Sequence, residues 1–182
     1  MTPTRDQLAE AKNLTLPDVV GPGLDVLFCG INPGLYSAAT GHHFGRPGNR
    51  FWPALHLGGF TPRQFEPSEQ DLLPELGLGI TNLVARATAR ADELSDEELR
   101  AGGKRLVALA LEHRPRAVAV VGVTAYRAAF GRKHAKVGPQ QERVGESPLW
   151  VLPNPSGLNA HYGREALGAE FRALREALPR GW

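Results

Sequence analysis

The chain holds a single cysteine, Cys29, so internal disulfides and zinc sites built from cysteine clusters are both excluded. No apolar run approaches the length of a membrane span. The opening residues, "MTPTRDQLAEAKN", lack the apolar core of a secretion signal, so a cytoplasmic protein without membrane association is expected. Neither sign of charge is in large excess, and a formal net charge of +2 does not by itself mark a nucleic-acid binder. Internal repeats, low-complexity tracts and linkers are also missing. Residues 1–182 therefore read as one domain, with 1–15 as an N-terminal helix and lead-in.

Within that frame, 42% of the residues are apolar, enough for one sizeable core. Short apolar runs, "LDVLFCG", "LGITNLV", "AVAVVG" and "SPLWVL", alternate with segments of helical periodicity. Thr4 with Gln7 and Ser95 with Glu98 have the spacing of capping boxes and place two helix starts. "NRFWPALHLGG" reads as a helix with Pro53 in its first turn, and "PSEQDLLPELG" as a short one. "VTAYRAAFG" and "GREALGAEFRALREAL" read as two more helices. The pattern predicts an α/β fold of three layers: a four-stranded, mostly parallel sheet with helices on both faces.

In such sheets ligands bind beyond the carboxyl ends of the strands. Three unusual loops leave those ends: "GINPG", "NLVARATARADE" and "NPSGLNAHYG". In the first, Pro33 stiffens a turn that either aims the Asn32 carboxamide at the cleft or lets it cap its own backbone as an Asx-turn. In the third, Leu158 sits at the tip of a Pro/Gly turn, as ordinary packing or as a wedge for a base stack. Cys29 lies inside an apolar strand and reads as a small buried hydrophobe. His42 and His43 are adjacent and lack metal-ligand spacing; surface or phosphate-contacting roles suit them better than metal. Arg46, Arg50, Arg63, Arg86 and Arg90 gather in or beside loops, where phosphate contact or plain solvation are the alternatives.

The motifs "GINPG", "FGRPGNRFW" and "LPNPSGL", in this order, resemble those of the mismatch-specific uracil-DNA glycosylases, relatives of thymine-DNA glycosylase, over roughly Leu16 to Leu178. The resemblance implies the uracil-glycosylase fold and hydrolysis of the N-glycosidic bond of uracil, or of related damaged pyrimidines, flipped from DNA. It implies no cofactor and no metal. The expected partner is double-stranded DNA carrying uracil mismatches such as U·G, with single-stranded DNA as a further substrate, bound by a monomer. Asn32 matches the asparagine that positions the hydrolytic water, and Phe44 the aromatic that stacks on the base. Backbone amides near Ile31 and Phe44 would meet the pyrimidine edges. Gly157 and Leu158 match the loop that enters the duplex. Asn82, Asn154 and Ser37, a pocket-wall hydroxyl or else a plain helix-start residue, complete the expected substrate-binding set, with Asn159 and Arg50 on the DNA-binding side.

Three features depart from the pattern, the third being the "ARATARADE" loop, which brings Asp92 and Glu93 near the proposed site. Ala160 stands where relatives carry arginine, with Tyr162 or Arg164 as candidate substitutes. Asn82 stands where some relatives carry lysine, while other branches use asparagine to read uracil. Asp92 is a candidate second catalytic group, against its alternative as a solvated acid before the Ser95 helix. A non-catalytic binder of flipped or single-stranded bases would keep Phe44 and the arginines without needing Asn32. A hydrolase using Cys29 or Ser37 lacks a G-x-S-x-G elbow.

Overall fold

The computed structural model describes residues 2–178. The four predicted apolar runs form β1 (Val26–Gly30), β2 (Leu78–Asn82), β3 (Ala117–Val121) and β5 (Ser147–Leu152), joined by an unpredicted β4 (Gly138–Val144). The sheet order is β2-β1-β3-β5-β4, with β4 alone antiparallel to its neighbour. The sheet thus has five strands rather than the expected four. β4 reads "GPQQERV" and alternates buried or half-buried with exposed positions at the sheet edge. Such an edge strand needs no continuous apolar run, so its signal is weak.

The central strands are buried on both faces, and their side-chain period of two feeds two cores. Val26 and Phe28 of β1 face one core with Phe51, Leu55 and Phe171; Leu27 and Cys29 face the other with Leu99, Leu106 and Tyr126. The first core is covered by α3 (Phe51–Leu57) and α6 (Arg164–Ala177), the second by α4 (Asp96–His113) and α5 (Val123–Phe130). Phe28 is the aromatic centre of the first, with Phe51, Phe60 and Phe171 at 5.5, 5.5 and 5.7 Å between ring centroids. Both capping boxes form, opening α1 (Arg5–Glu10) at Thr4 and α4 at Ser95.

Two local expectations change. The segment read as one short helix is a pair of 3-10 helices, Pro67–Leu72 and Pro74–Leu76. Pro74 carries no N–H for a continuous helical ladder. An unpredicted α2 (Leu35–Thr40) follows "GINPG" directly. Because β1, β2, β3 and β5 are parallel, their outgoing loops share one edge, and Gly34 pairs with Thr88 as an isolated parallel bridge there.

Candidate active site

Asn32 leaves β1 two residues beyond its end and does not cap its own backbone. Its Nδ2 donates to the Arg86 carbonyl at 3.0 Å and to Thr88 Oγ1 at 2.8 Å. Both amide hydrogens are therefore engaged, and Oδ1 has no partner among the described residues. Thr88 is buried and donates onward to the Arg90 carbonyl at 2.7 Å. The loop after β2 is tied to the first loop by its backbone as well, with Val84 N–H donating to Ile31 O and Thr88 N–H to Pro33 O.

Beside Asn32, the end of β1 is narrowed to a backbone. A Cβ on Gly30 would lie 2.6 Å from Asn82 Oδ1 and 3.1 Å from Phe44 Cζ, so glycine lets these two groups converge over the strand. Gly30 and Asn82 are register partners at the ends of β1 and β2. Phe44 has φ 51°, a left-handed conformation that a bulky residue rarely takes. Its half-buried ring stacks on Phe51 at 4.0 Å and 16°, packing that offsets the backbone strain. Ser37 is buried, and its Oγ accepts from the Gly45 N–H at 3.0 Å. In this structure it braces the turn that follows Phe44.

His43 is not a surface residue. It is 2% exposed, its Nε2 lies 2.7 Å from the Pro17 carbonyl and its Nδ1 lies 3.3 Å from Asn82 Nδ2. Burial pushes its pKa below the ordinary 6.5, against smaller opposing effects of the Pro17 hydrogen bond and the Asp18 charge. Its backbone is fixed too: the N–H donates to Gln70 Oε1 and the carbonyl accepts from Trp52 Nε1. Adjacent histidines look alike in a sequence, and nothing local separates the buried one from half-buried His42.

The third loop presents Leu158 as an apolar tip, 79% exposed. Gly157 lies against Gly48, whose carbonyl oxygen would be 2.6 Å from an added Cβ. Asn154 Oδ1 accepts from the Ser156 N–H, an Asx-turn, and its carbonyl accepts from Asn159 Nδ2. Asn159 Oδ1 in turn accepts from the His161 N–H. Arg50, expected at phosphate, holds this loop from beneath. Its Nη1 donates to the carbonyls of Ser156, Asn159 and Tyr162, and its Nη2 to that of Gly157 at 3.1 Å.

Arg86 is likewise engaged within the protein, in a bidentate pair with Glu98 at 2.8 and 2.9 Å and a bond to Asn13. Hydrogen bonding from Arg86 holds the Glu98 carboxyl at about 2. Asp92 is exposed on a short 3-10 turn, Ala91–Glu93, and pairs with Arg90 at 3.1 Å. The Cys29 thiol is fully buried, and desolvation pushes its pKa far above the ordinary value, which removes the thiolate a nucleophile needs. Arg46, His42, Arg50 and Arg164 line a groove of about 1170 Å³ that reaches Phe44. A second cleft, about 460 Å³, holds Ile31, Asn154, Leu158 and Asn159.

An anchored carboxamide, a stacked aromatic and an exposed leucine thus share the carboxyl edge of a sheet covered on both faces. A family model, the uracil DNA glycosylase superfamily, matches residues 17–178, and the chain belongs to that superfamily. Membership makes it a DNA glycosylase acting on uracil, a hydrolase of DNA repair. Among the described residues no helix is long and apolar enough to cross a membrane.

Proposed function

We propose that this protein removes uracil from mismatches such as U·G, by hydrolysis without a covalent enzyme intermediate, after flipping the nucleotide from the duplex. The observation that carries the mechanism is the double anchoring of Asn32, which leaves Oδ1 as the free end of the carboxamide. A carboxamide takes up no proton near neutral pH, so Asn32 orients water rather than deprotonating it. The water oxygen adds to C1′ as the glycosidic bond breaks, the bond's electron pair departs on uracil N1, and the water's surplus proton passes to solvent or to the departing uracil anion. Fixed donors around a developing anion are worth most in a site that excludes water. Backbone amides near Ile31 and Phe44 would supply them here. The Phe44 ring is pinned on one side by Phe51, which supports a stacking role for its other side.

Leu158 would enter the duplex in place of the flipped nucleotide. Its exposure supports that role, as do the Arg50 bonds to the Gly157 and Asn159 carbonyls on either side of it. Asn154 and Ser37 would then act by holding the third loop and the Phe44 turn, beside the base. Asn82 offers one acceptor and one donor to the N3–H and O4 of uracil, a match that would extend activity to U·A and single-stranded uracil. Asp92 follows Arg90 in the loop that anchors Asn32, where its charge would balance the oxocarbenium.

The test is a panel of labelled oligonucleotides carrying U·G, U·A or single-stranded uracil, treated with alkali after incubation to reveal abasic sites. Cleavage fastest on U·G supports the proposal. Binding without abasic sites would make the protein a base-binding module instead. Asn82→Ala is expected to lose U·A activity, and unchanged U·A cleavage would remove Asn82 from base reading. Asp92→Ala is expected to slow every substrate at unchanged affinity, and wild-type rates would return Asp92 to the solvated surface.

A further inference from the structure

His43 lies behind the proposed base-reading group and serves no other described part of the mechanism. A backbone carbonyl can only accept, so the Pro17 oxygen at 2.7 Å requires the proton on His43 Nε2. In the neutral ring Nδ1 is then an acceptor, and the group facing it must be a donor. The group facing it at 3.3 Å is the Asn82 carboxamide, which therefore turns Nδ2 toward the histidine. Asn82 Oδ1 is left over Gly30, on the side of Phe44. We propose that His43 is a positioning residue for base selection, fixing which end of the Asn82 carboxamide meets the base and thereby favouring uracil over cytosine.

The chemistry of the two bases makes the orientation decisive. Uracil presents a donor at N3 and an acceptor at O4; cytosine presents an acceptor at N3 and a donor at N4. A carboxamide free to turn end for end matches either base, whereas one locked by a neighbouring acceptor matches uracil alone. Nδ2 carries two hydrogens, so one can serve His43 while the other serves the base. The lock is a chain from Pro17 through His43 to Asn82, and each link has one permitted polarity.

Charge around the ring is compatible with the neutral form. Burial disfavours the imidazolium, and the charged group acting on the ring is Asp18, whose Oδ1 already accepts from Thr81 at 2.7 Å. The other groups against His43, from Gln70, Trp52 and Asn82, are uncharged.

The inference rests on Asn82 reading the base, and its test separates the two ideas. Duplexes carrying 2′-fluoroarabino-uridine or 2′-fluoroarabino-cytidine opposite guanine resist cleavage and allow binding alone to be compared. Wild-type protein is expected to favour uridine. His43→Phe keeps a ring and removes both nitrogens; it is expected to lower the uridine-over-cytidine ratio about tenfold. Asn82→Ala should lower it equally, and the double variant no further. An unchanged ratio in His43→Phe, with a collapsed ratio in Asn82→Ala, would overturn the positioning role and leave base reading intact. An unchanged ratio in Asn82→Ala would remove the reading on which it rests. A measurement without substitution covers a His43→Phe chain that fails to fold. ¹⁵N spectra of histidine-labelled protein at about pH 7.5 should show one ring protonated at Nε2 and bare at Nδ1. A protonated Nδ1 on that ring would overturn the proposal.

Discussion

Asn32 and Thr88 meet side chain to side chain at 2.8 Å although 56 residues separate them, and the bond joins the loops leaving β1 and β2. Thr88 is buried at this junction, donates to the Arg90 carbonyl and sets the rotation of the Asn32 carboxamide together with the Arg86 carbonyl. Substituting Thr88 with Val keeps the shape and removes the acceptor. Single-turnover cleavage of U·G should fall about tenfold, the rate equivalent of ~1.4 kcal/mol, with duplex affinity within about twofold of wild type. An unchanged rate would mean that Asn32 does not depend on this anchor.

Arg50 gathers four carbonyls of the Leu158 loop, so its removal leaves several acceptors without a charged donor. Arg50→Ala should destabilise the protein by about 2 kcal/mol, a typical value for hydrogen bonds to a charged group. Cleavage of duplex uracil should suffer more than cleavage of single-stranded uracil. Arg50→Lys should rescue poorly, because an ammonium has three donors without the planar fork. Full rescue by Lys would show that charge alone matters at this position.

Leu158 is exposed, so shortening it removes little packing from the free protein. Leu158→Ala should melt within about 1 °C of wild type, as surface changes do. Its U·G cleavage should nonetheless fall, with single-stranded cleavage spared because a single strand offers no stack to wedge open. Equal losses on both substrates would count against a wedge.

Stability should respond to acid in two separate windows. The pKa of His43 is lowered below 6.5 by burial, so the unfolded chain takes up that proton first. Its contribution is complete above about pH 6.5 and is lost as pH falls through the lowered folded value. The Glu98 carboxyl is held at about 2 against an ordinary 4.5, so its contribution is present above 4.5 and is lost toward pH 2. Urea midpoints measured across pH should lose the upper slope in His43→Phe; the lower slope should shrink in Glu98→Gln, the remainder resting on Glu69, which Arg63 also holds at about 2. An upper slope that persists in His43→Phe would assign it to another group.

The parts of this molecule that were legible in its sequence are those set by local pattern. Apolar runs gave the four parallel strands, and Ser95 with Glu98 gave the start of α4. β4 escaped because "GPQQERV" carries turn formers and a polar outer face. Among site residues, the exposure of Leu158 and the departure of Asn32 from an Asx-turn decide between alternatives that their loops left open. The work of Arg50 and His43 was illegible. The carbonyls that Nη1 of Arg50 reaches lie 106 to 112 residues away, and the ring partners of His43 lie 26 and 39 residues away. Such polar hubs are fixed by tertiary closure, and their residue types read equally well as solvated surface.

The central claim is that Asn32 acts in the chemical step through its free Oδ1. It is tested most directly by single-turnover cleavage of a U·G duplex by wild type and Asn32→Ala, with duplex affinity measured in parallel. The account predicts a rate at least about tenfold lower in the variant, at near-normal affinity and stability. Equal single-turnover rates for the two proteins would contradict it.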